Sequence, residues 1–243
     1  EHWENSEANR EAAAPAATPT RAPTTAPPPA AKTDVPTGRD VPAETKSYWT
    51  DFRGPRRDGR YDEIPIQTNW PAGGPPRLWR KPIGEGYASF VFANGKAFTI
   101  EQRRNQEVVT AYDLGSGREL GRSPTGRMPH EIAISPDGRH AAVVAYGAKT
   151  IDLFDVATRA RLKTIDLSPN QGPHGIAWLK DGRIVVTTER SQSLAVVDPV
   201  AGAVTASIET GQQGTHMLAV SEDGNIPFTP NISSGTVRVN DLP

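Results

Sequence analysis

Three histidines stand at matching places in the chain: His130 in PHEIAI, His174 in PHGIAW and His216 in THMLAV, 44 and 42 residues apart. Near pH 7 imidazole is largely neutral and offers a lone pair, so three such rings brought together can hold Zn²⁺ or Cu²⁺, or pass a proton. Tyr87 holds the matching place one unit earlier, and Glu101, Glu189 and Asn231 stand near the ends of segments that would open on the same face. Those oxygens can ligate directly or hold the second nitrogen of a ligating ring. A second role is as ordinary for these positions: each histidine ties adjacent loops together. A spacing near 42 residues is no local ligand motif, so the elements between the histidines must gather them, and those elements decide what the rings can do.

The elements repeat. Gly95, Gly138, Gly182 and Gly224 each close a first hairpin, at intervals of 43, 44 and 42 residues. Asp113, Asp155, Asp198 and Asp241 each end a third strand, at 42, 43 and 43, and Leu78, Leu120, Leu162 and Val204 mark fourth strands every 42. Three markers share one period, the signature of a repeat architecture. In the third unit the strands are expected over 175–179, 183–188, 193–198 and 203–210. Lys-Asp-Gly joins the first two, since glycine accepts the positive φ of a tight hairpin. Pro199 and Gly202 shape the turn between the third and fourth. Four antiparallel strands in about 42 residues is the pattern of a β-propeller blade. The fold class is all-β, a propeller of four units, in which equivalent side chains gather at one mouth of the central channel. The Asp-Gly aspartates, Asp137, Asp181 and Asp223, are expected to satisfy turn amides.

Composition bounds the rest. The 243 residues carry a net charge of −1, with 22 glycines, 23 prolines and no cysteine. No strong field draws the chain to nucleic acid or anionic lipid. Disulfides, haem attachment through CxxCH and thiolate zinc sites are excluded. No run of 18 apolar residues is present, so no transmembrane helix is expected in these residues. The chain starts at Glu1 rather than Met, which leaves room for a leader or anchor upstream. Residues 1–47 are rich in Ala, Pro and Thr, as in AAAPAATPTRAPTTAPPPAAKT. They bury too little to fold and are expected to form a disordered stalk or linker. Residues 48–75 read as a lead-in whose Trp49 and Trp70 pin it to the first blade, and whose RGPRRDGR run is a solvated face. Residues 76–243 are the propeller.

The ends of the array bear on closure. PRLWRKPI, 76–83, reads as a fourth strand without a blade of its own, while the last unit stops after three strands. Two open blade faces would each expose several Val, Leu and Ile side chains at roughly 1.5–3 kcal/mol apiece. Either 76–83 pairs with TVRVNDL, 236–242, and a small ring of four blades closes, or further sequence or a second copy completes a larger ring.

Two resemblances follow from these segments. YWTDFRGPRRDG, 48–59, AYDLGSGREL, 111–120, and Trp79 in RLWRKPIG resemble the PQQ-binding-like propeller repeats, over about residues 48–121. SPDG, 135–138, TIDLFDVAT, 150–158, and PNISSGTVRVNDL, 230–242, resemble the YVTN-type repeats, over about 129–242, so a join falls near 121–128. Both families build rings of seven or eight blades, and histidines before an inner strand are also common in WD-type repeats, where they lock the blade. The PQQ resemblance implies a quinone, a calcium site and a carboxylate base, but no residue here carries the quinone contacts over. The expected function is an extracytoplasmic scaffold, periplasmic, envelope-bound or secreted, that binds a protein or a small molecule without catalysis. The alternative is a quinoprotein-like or histidine-metal redox enzyme, or a fragment of one, with Zn²⁺ or Cu²⁺ on His130, His174 and His216.

Overall fold

A computed structural model describes residues 49–63, 65–86 and 88–243. The expected stalk at 1–47 and Tyr87 lie outside them. Four antiparallel sheets follow one another along the chain. Blade one holds β1 (Val91–Ala93), β2 (Lys96–Arg103), β3 (Gln106–Asp113) and β4 (Glu119–Pro124). Blade two holds β5 (Pro129–Ile134), β6 (His140–Ala145), β7 (Thr150–Asp155) and β8 (Arg161–Asp166). Blade three holds β9 (Pro173–Trp178), β10 (Ile184–Thr188), β11 (Ser193–Asp198) and β12 (Ala203–Glu209). Blade four holds β13 (Ala219–Val220), β14 (Pro227–Asn231) and β15 (Thr236–Val239). Each strand pairs with the next in sequence, the up-and-down order of a propeller blade.

The blades pack face to face through the two-residue period of a strand. Ile132 and Ile134 of β5 and Val143 of β6 meet Val91, Phe98 and Val109 of blade one. The residues between them, Ala133, Ala142 and Val144, meet Ile176, Ile184 and Val186 of blade three. The opposite face of blade three, Ala177, Val185 and Leu194, packs on Leu218 of blade four. Because a middle strand has neighbours on both faces, β10 is buried along its whole length. The outer strand β12 alternates exposed and half-buried residues, with one side toward water.

The turns bear out their chemistry. Gly95, Gly138, Gly182 and Gly224 all have positive φ, between 70° and 90°. Asp113, Asp155 and Asp198 each accept a main-chain N–H from the turn that follows, from Ser116, Thr158 and Val200. Asp137, Asp181 and Asp223 accept the N–H two residues on.

Three expectations are corrected. Residues 76–83 form no strand and do not pair with β15. Instead Trp79 is held by blade one: its Nε1 donates to Leu114 O at 3.0 Å, and its indole lies flat on Gly117. Of the two forms of closure, the described residues do not show the small ring. Arg57 is no part of a solvated face. Its guanidinium turns inward and meets Glu131 Oε2 at 2.8 Å, with side-chain exposures of 10% and 3%, and also donates to Ile176 O. Burying a carboxylate demands such a partner, which overrides the preference of a charged run for water. Trp70 is 55% exposed, outside the core that holds the first blade. Trp49 anchors the lead-in as expected: its carbonyl accepts Phe92 N–H of β1, the next carbonyl, of Thr50, accepts Ile134 N–H of β5, and its ring covers Gly54. Residues 49–57 therefore lie along the inner strands of blades one to three.

Candidate functional site

The blades bring the three histidines together. His130 and His174 are the second residues of β5 and β9, and His216 lies in the run before β13. The main chain at His216 ties blade four to blade three: its N–H donates to Pro230 O, while its carbonyl accepts Gly175 N–H and Thr187 Oγ1–H. Gly175 permits this approach, since a Cβ there would lie 2.9 Å from Leu218 N. The ring centres of His130 and His174 stand 4.3 Å apart, and those of His174 and His216 stand 3.7 Å apart, tilted by 48° and 40°.

Tyr146 completes this wall, 5.0 Å from His130 and 6.4 Å from His174 between ring centres. It directly follows β6, as Glu189 directly follows β10, so the register that singled out Glu189 points to Tyr146 too. Arg190 donates from Nε to the Tyr146 hydroxyl at 3.2 Å, and its guanidinium lies 5.1 Å from the ring centre. At the other end of the row, Glu189 Oε2 stands 3.2 Å from His216 Nδ1. That contact favours the tautomer with the proton on Nδ1 and leaves Nε2 with its lone pair.

Burial sets the charge of the row. His174, 9% exposed, is pushed down to about 3, first by loss of water and then by His216, His130 and Arg57. His130 is lowered too, chiefly by burial and then by His216, against the raising effect of Glu189 and Glu131. Both rings are neutral at pH 7. His174 Nδ1 is buried and has no hydrogen-bond partner.

The other expected residues are placed elsewhere. Glu101 is 2% exposed inside blade one, accepting the Tyr112 hydroxyl at 2.7 Å and pairing with Arg103 at 2.8 Å. Burial alone would raise its pKa, but hydrogen bonds from Tyr112 and the Gly84 N–H, with the charge of Arg103, hold it below the usual range. Asn231 is buried at the end of β14, its Nδ2 donating to Thr229 O and Thr236 Oγ1. Of the face-lining set, the described residues place Glu189 alone beside the histidines.

Three imidazoles on one tetrahedral metal at about 2.0 Å would hold their ring centres about 5 Å apart. Here the rings pack closer, side against side, and among the described residues no group of three His, Asp or Glu is arranged around a common point. The row is instead a run of mutually tilted rings, with His130 and His174 neutral and His216 set against Glu189 at its edge.

Comparison with known proteins agrees with the fold. A family model described as "Lactonase, 7-bladed beta-propeller" matches residues 92–219. Among solved structures, the chain is similar to Kuenenia stuttgartiensis hydrazine synthase, at 19% identity and a TM-score of 0.55, over 71% of this chain and 53% of that one. It is also similar to a functionally unknown protein from Desulfotomaculum acetoxidans DSM 771, at 20% identity and a TM-score of 0.50, over 65% and 56%. The chain thus spans about half the length of these structures, and at such identity they speak for the fold alone. A search of curated proteins finds no match. No helix among the described residues is long and apolar enough to cross a membrane.

Proposed function

Because the chain belongs to the seven-bladed β-propeller lactonase family, we propose that it is a ligand-binding propeller whose recognition surface is the wall of His130, His174, His216 and Tyr146. The observation that carries this reading is the Nδ1 of His174, buried in the middle of the wall without a partner. A polar atom left so costs roughly 1–3 kcal/mol, and a small ligand with a polar edge that turns the His174 ring and pairs with Nδ1 would relieve that cost. The Ala/Pro/Thr composition of residues 12–33 supports a place in the envelope or outside the cell.

A second reading is favoured by one contact, Glu189 Oε2 on His216 Nδ1 at 3.2 Å. A base held by a carboxylate is the arrangement of a general base. His216 Nε2 would take a proton from water as the water oxygen adds to a lactone carbonyl. The tetrahedral intermediate would then expel the ring oxygen, which receives that proton, and a hydroxy acid results.

One experiment separates these readings. δ-Valerolactone is added to the protein, with binding followed by the imidazole resonances and turnover by acid release at constant pH. Binding without turnover, lost in His174→Ala, is the expected result. Turnover abolished by Glu189→Gln and His216→Ala would favour the hydrolase. No binding and no turnover, with one Zn²⁺ or Cu²⁺ taken up per chain, would replace both with a metal site.

A further inference from the structure

We propose that Arg57, a residue outside every blade, is a positioning residue of the histidine row: together with Glu131 it clamps β9 to β5 and so fixes the spacing of His130 and His174. This role rests on the reading of the row as a recognition surface. The inner strands β5 and β9 belong to different sheets and share no ladder, so something else must set the distance between them. Near the histidines a single residue of β9 is held by both of its main-chain groups. Ile176 N–H donates to Glu131 Oε2 at 3.2 Å, and Ile176 O accepts from Arg57 Nη2. The same guanidinium grips the carboxylate, with Nη2 on Oε2 at 2.8 Å and Nη1 on Oε1 at 3.4 Å. A carboxylate of β5 and a guanidinium of the lead-in thus do for Ile176 what a neighbouring strand would do, and they satisfy groups that burial would otherwise leave unpaired.

The clamp lies at the histidines. His130 directly precedes Glu131, and His174 stands two residues before Ile176, on the same face of β9. A shift of β9 against β5 at Ile176 therefore moves one ring of the 4.3 Å pair against the other. A second link between these strands, Trp178 Nε1 to Ala133 O at 3.2 Å, sits toward their other ends. It holds the blades together there, away from the rings.

Two further observations point the same way. Arg57 has φ +58°, in the left-handed region that favours glycine, and the chain does use glycine for that region close by, at Gly54 and Gly59. The strained turn is held by Arg57 N–H on Gly54 O and Gly59 N–H on Arg53 O, both at 2.9 Å. Strain kept in place by its surroundings is a mark of a functional position. A buried ion pair is also a poor source of stability compared with an apolar pair of similar size, so stability alone does not call for one here. The charge of Arg57 acts on the row as well: after burial, His216 and His130, it is the next cause that holds the His174 ring neutral.

The test is the double variant Arg57→Met/Glu131→Leu, which removes both ions together and strands neither. Imidazole resonances are followed from pH 4 to 7 without ligand, with circular dichroism as the check on the fold. In the folded variant the Overhauser contact between His130 and His174 should weaken. Loss of the cation and entry of water both favour the imidazolium, so the His174 midpoint should rise by about one pH unit or more, about tenfold in proton affinity. A folded double variant with the parent's ring contact and a His174 that titrates as in the parent would overturn the proposal. If the double variant does not fold, Arg57→Lys decides: lysine keeps the charge but not the planar fork that reaches two acceptors. A weaker ring contact than in the parent is then expected, and an unchanged one would overturn the clamp. δ-Valerolactone is added last, and its binding should be weaker in the variants. A parent protein that does not bind it would end the ligand reading, while the ring contacts would still judge Arg57.

Discussion

Replacing Arg57 by Met should cost a large share of the stability of the propeller, although Arg57 lies outside every blade. Its guanidinium holds Glu131 Oε2 at 2.8 Å, and the two side chains are only 10% and 3% exposed. It also donates to Ile176 O of β9, while Glu131 accepts Ile176 N–H at 3.2 Å. Methionine keeps much of the volume but leaves a buried carboxylate with one main-chain donor. Breaking such a pair from one side costs about 3–5 kcal/mol, against a total of roughly 5–15 kcal/mol for a domain. Glu131→Leu together with Arg57→Met removes both charges and should cost less than Arg57→Met alone, within about 2 kcal/mol of the parent. The assay is urea unfolding followed by tryptophan fluorescence, with the slope as a check on compactness. A loss below about 0.5 kcal/mol in the single variant, or strict additivity in the double, would refute the placement of the lead-in on the inner strands.

Other perturbations test other parts of the structure. His174 is held near 3 when folded and titrates near 6.5 when unfolded, so the unfolded chain binds the extra proton between those values, and the His174 contribution to stability falls as pH drops from 6.5 to 3. Melting temperature against pH should show this fall, and His174→Gln should flatten it. Asp51 acts with the opposite sign: burial, partly offset by Arg57 and Thr50, raises it to about 6, so its contribution is full below 3.8 and is lost as pH rises through 6. Asp51→Asn should therefore stabilise the protein at pH 7, by roughly 1–3 kcal/mol, and give no gain below pH 4; a loss at pH 7 in chemical denaturation would contradict the burial of this carboxyl. Gly117→Ala places a methyl 2.6 Å from the Trp79 indole at φ +68°, and should cost roughly 1–3 kcal/mol in thermal unfolding, with the steric part recovered in Trp79→Ala/Gly117→Ala.

What the sequence disclosed is what the repeat carries. A period fixes which residues are equivalent, so β9 to β12 fall within two residues of their expected bounds, and His130, His174 and His216 become neighbours. Register alone does not say what a side chain will touch. Glu101 and Glu189 both follow second-strand logic, yet Glu101 is claimed by Tyr112 and Arg103, and Glu189 by His216. Residues 49–83 have no repeat to serve as a template. The inward turn of Arg57 depends on a carboxylate 74 residues away, and 76–83 lies on blade one, where Trp79 rests against Gly117 and bonds Leu114 O. Tyr146 was within reach, since it holds in blade two the place of Glu189 in blade three.

The most direct test of the site is the long-range ¹H–¹⁵N spectrum of the imidazoles between pH 4 and 7, with ring-to-ring Overhauser contacts. Contacts from His130 to His174 and from His174 to His216 are expected, with His174 neutral throughout the range. A His174 that takes up its proton near pH 6.5, with no contact to either neighbour, would contradict the histidine wall.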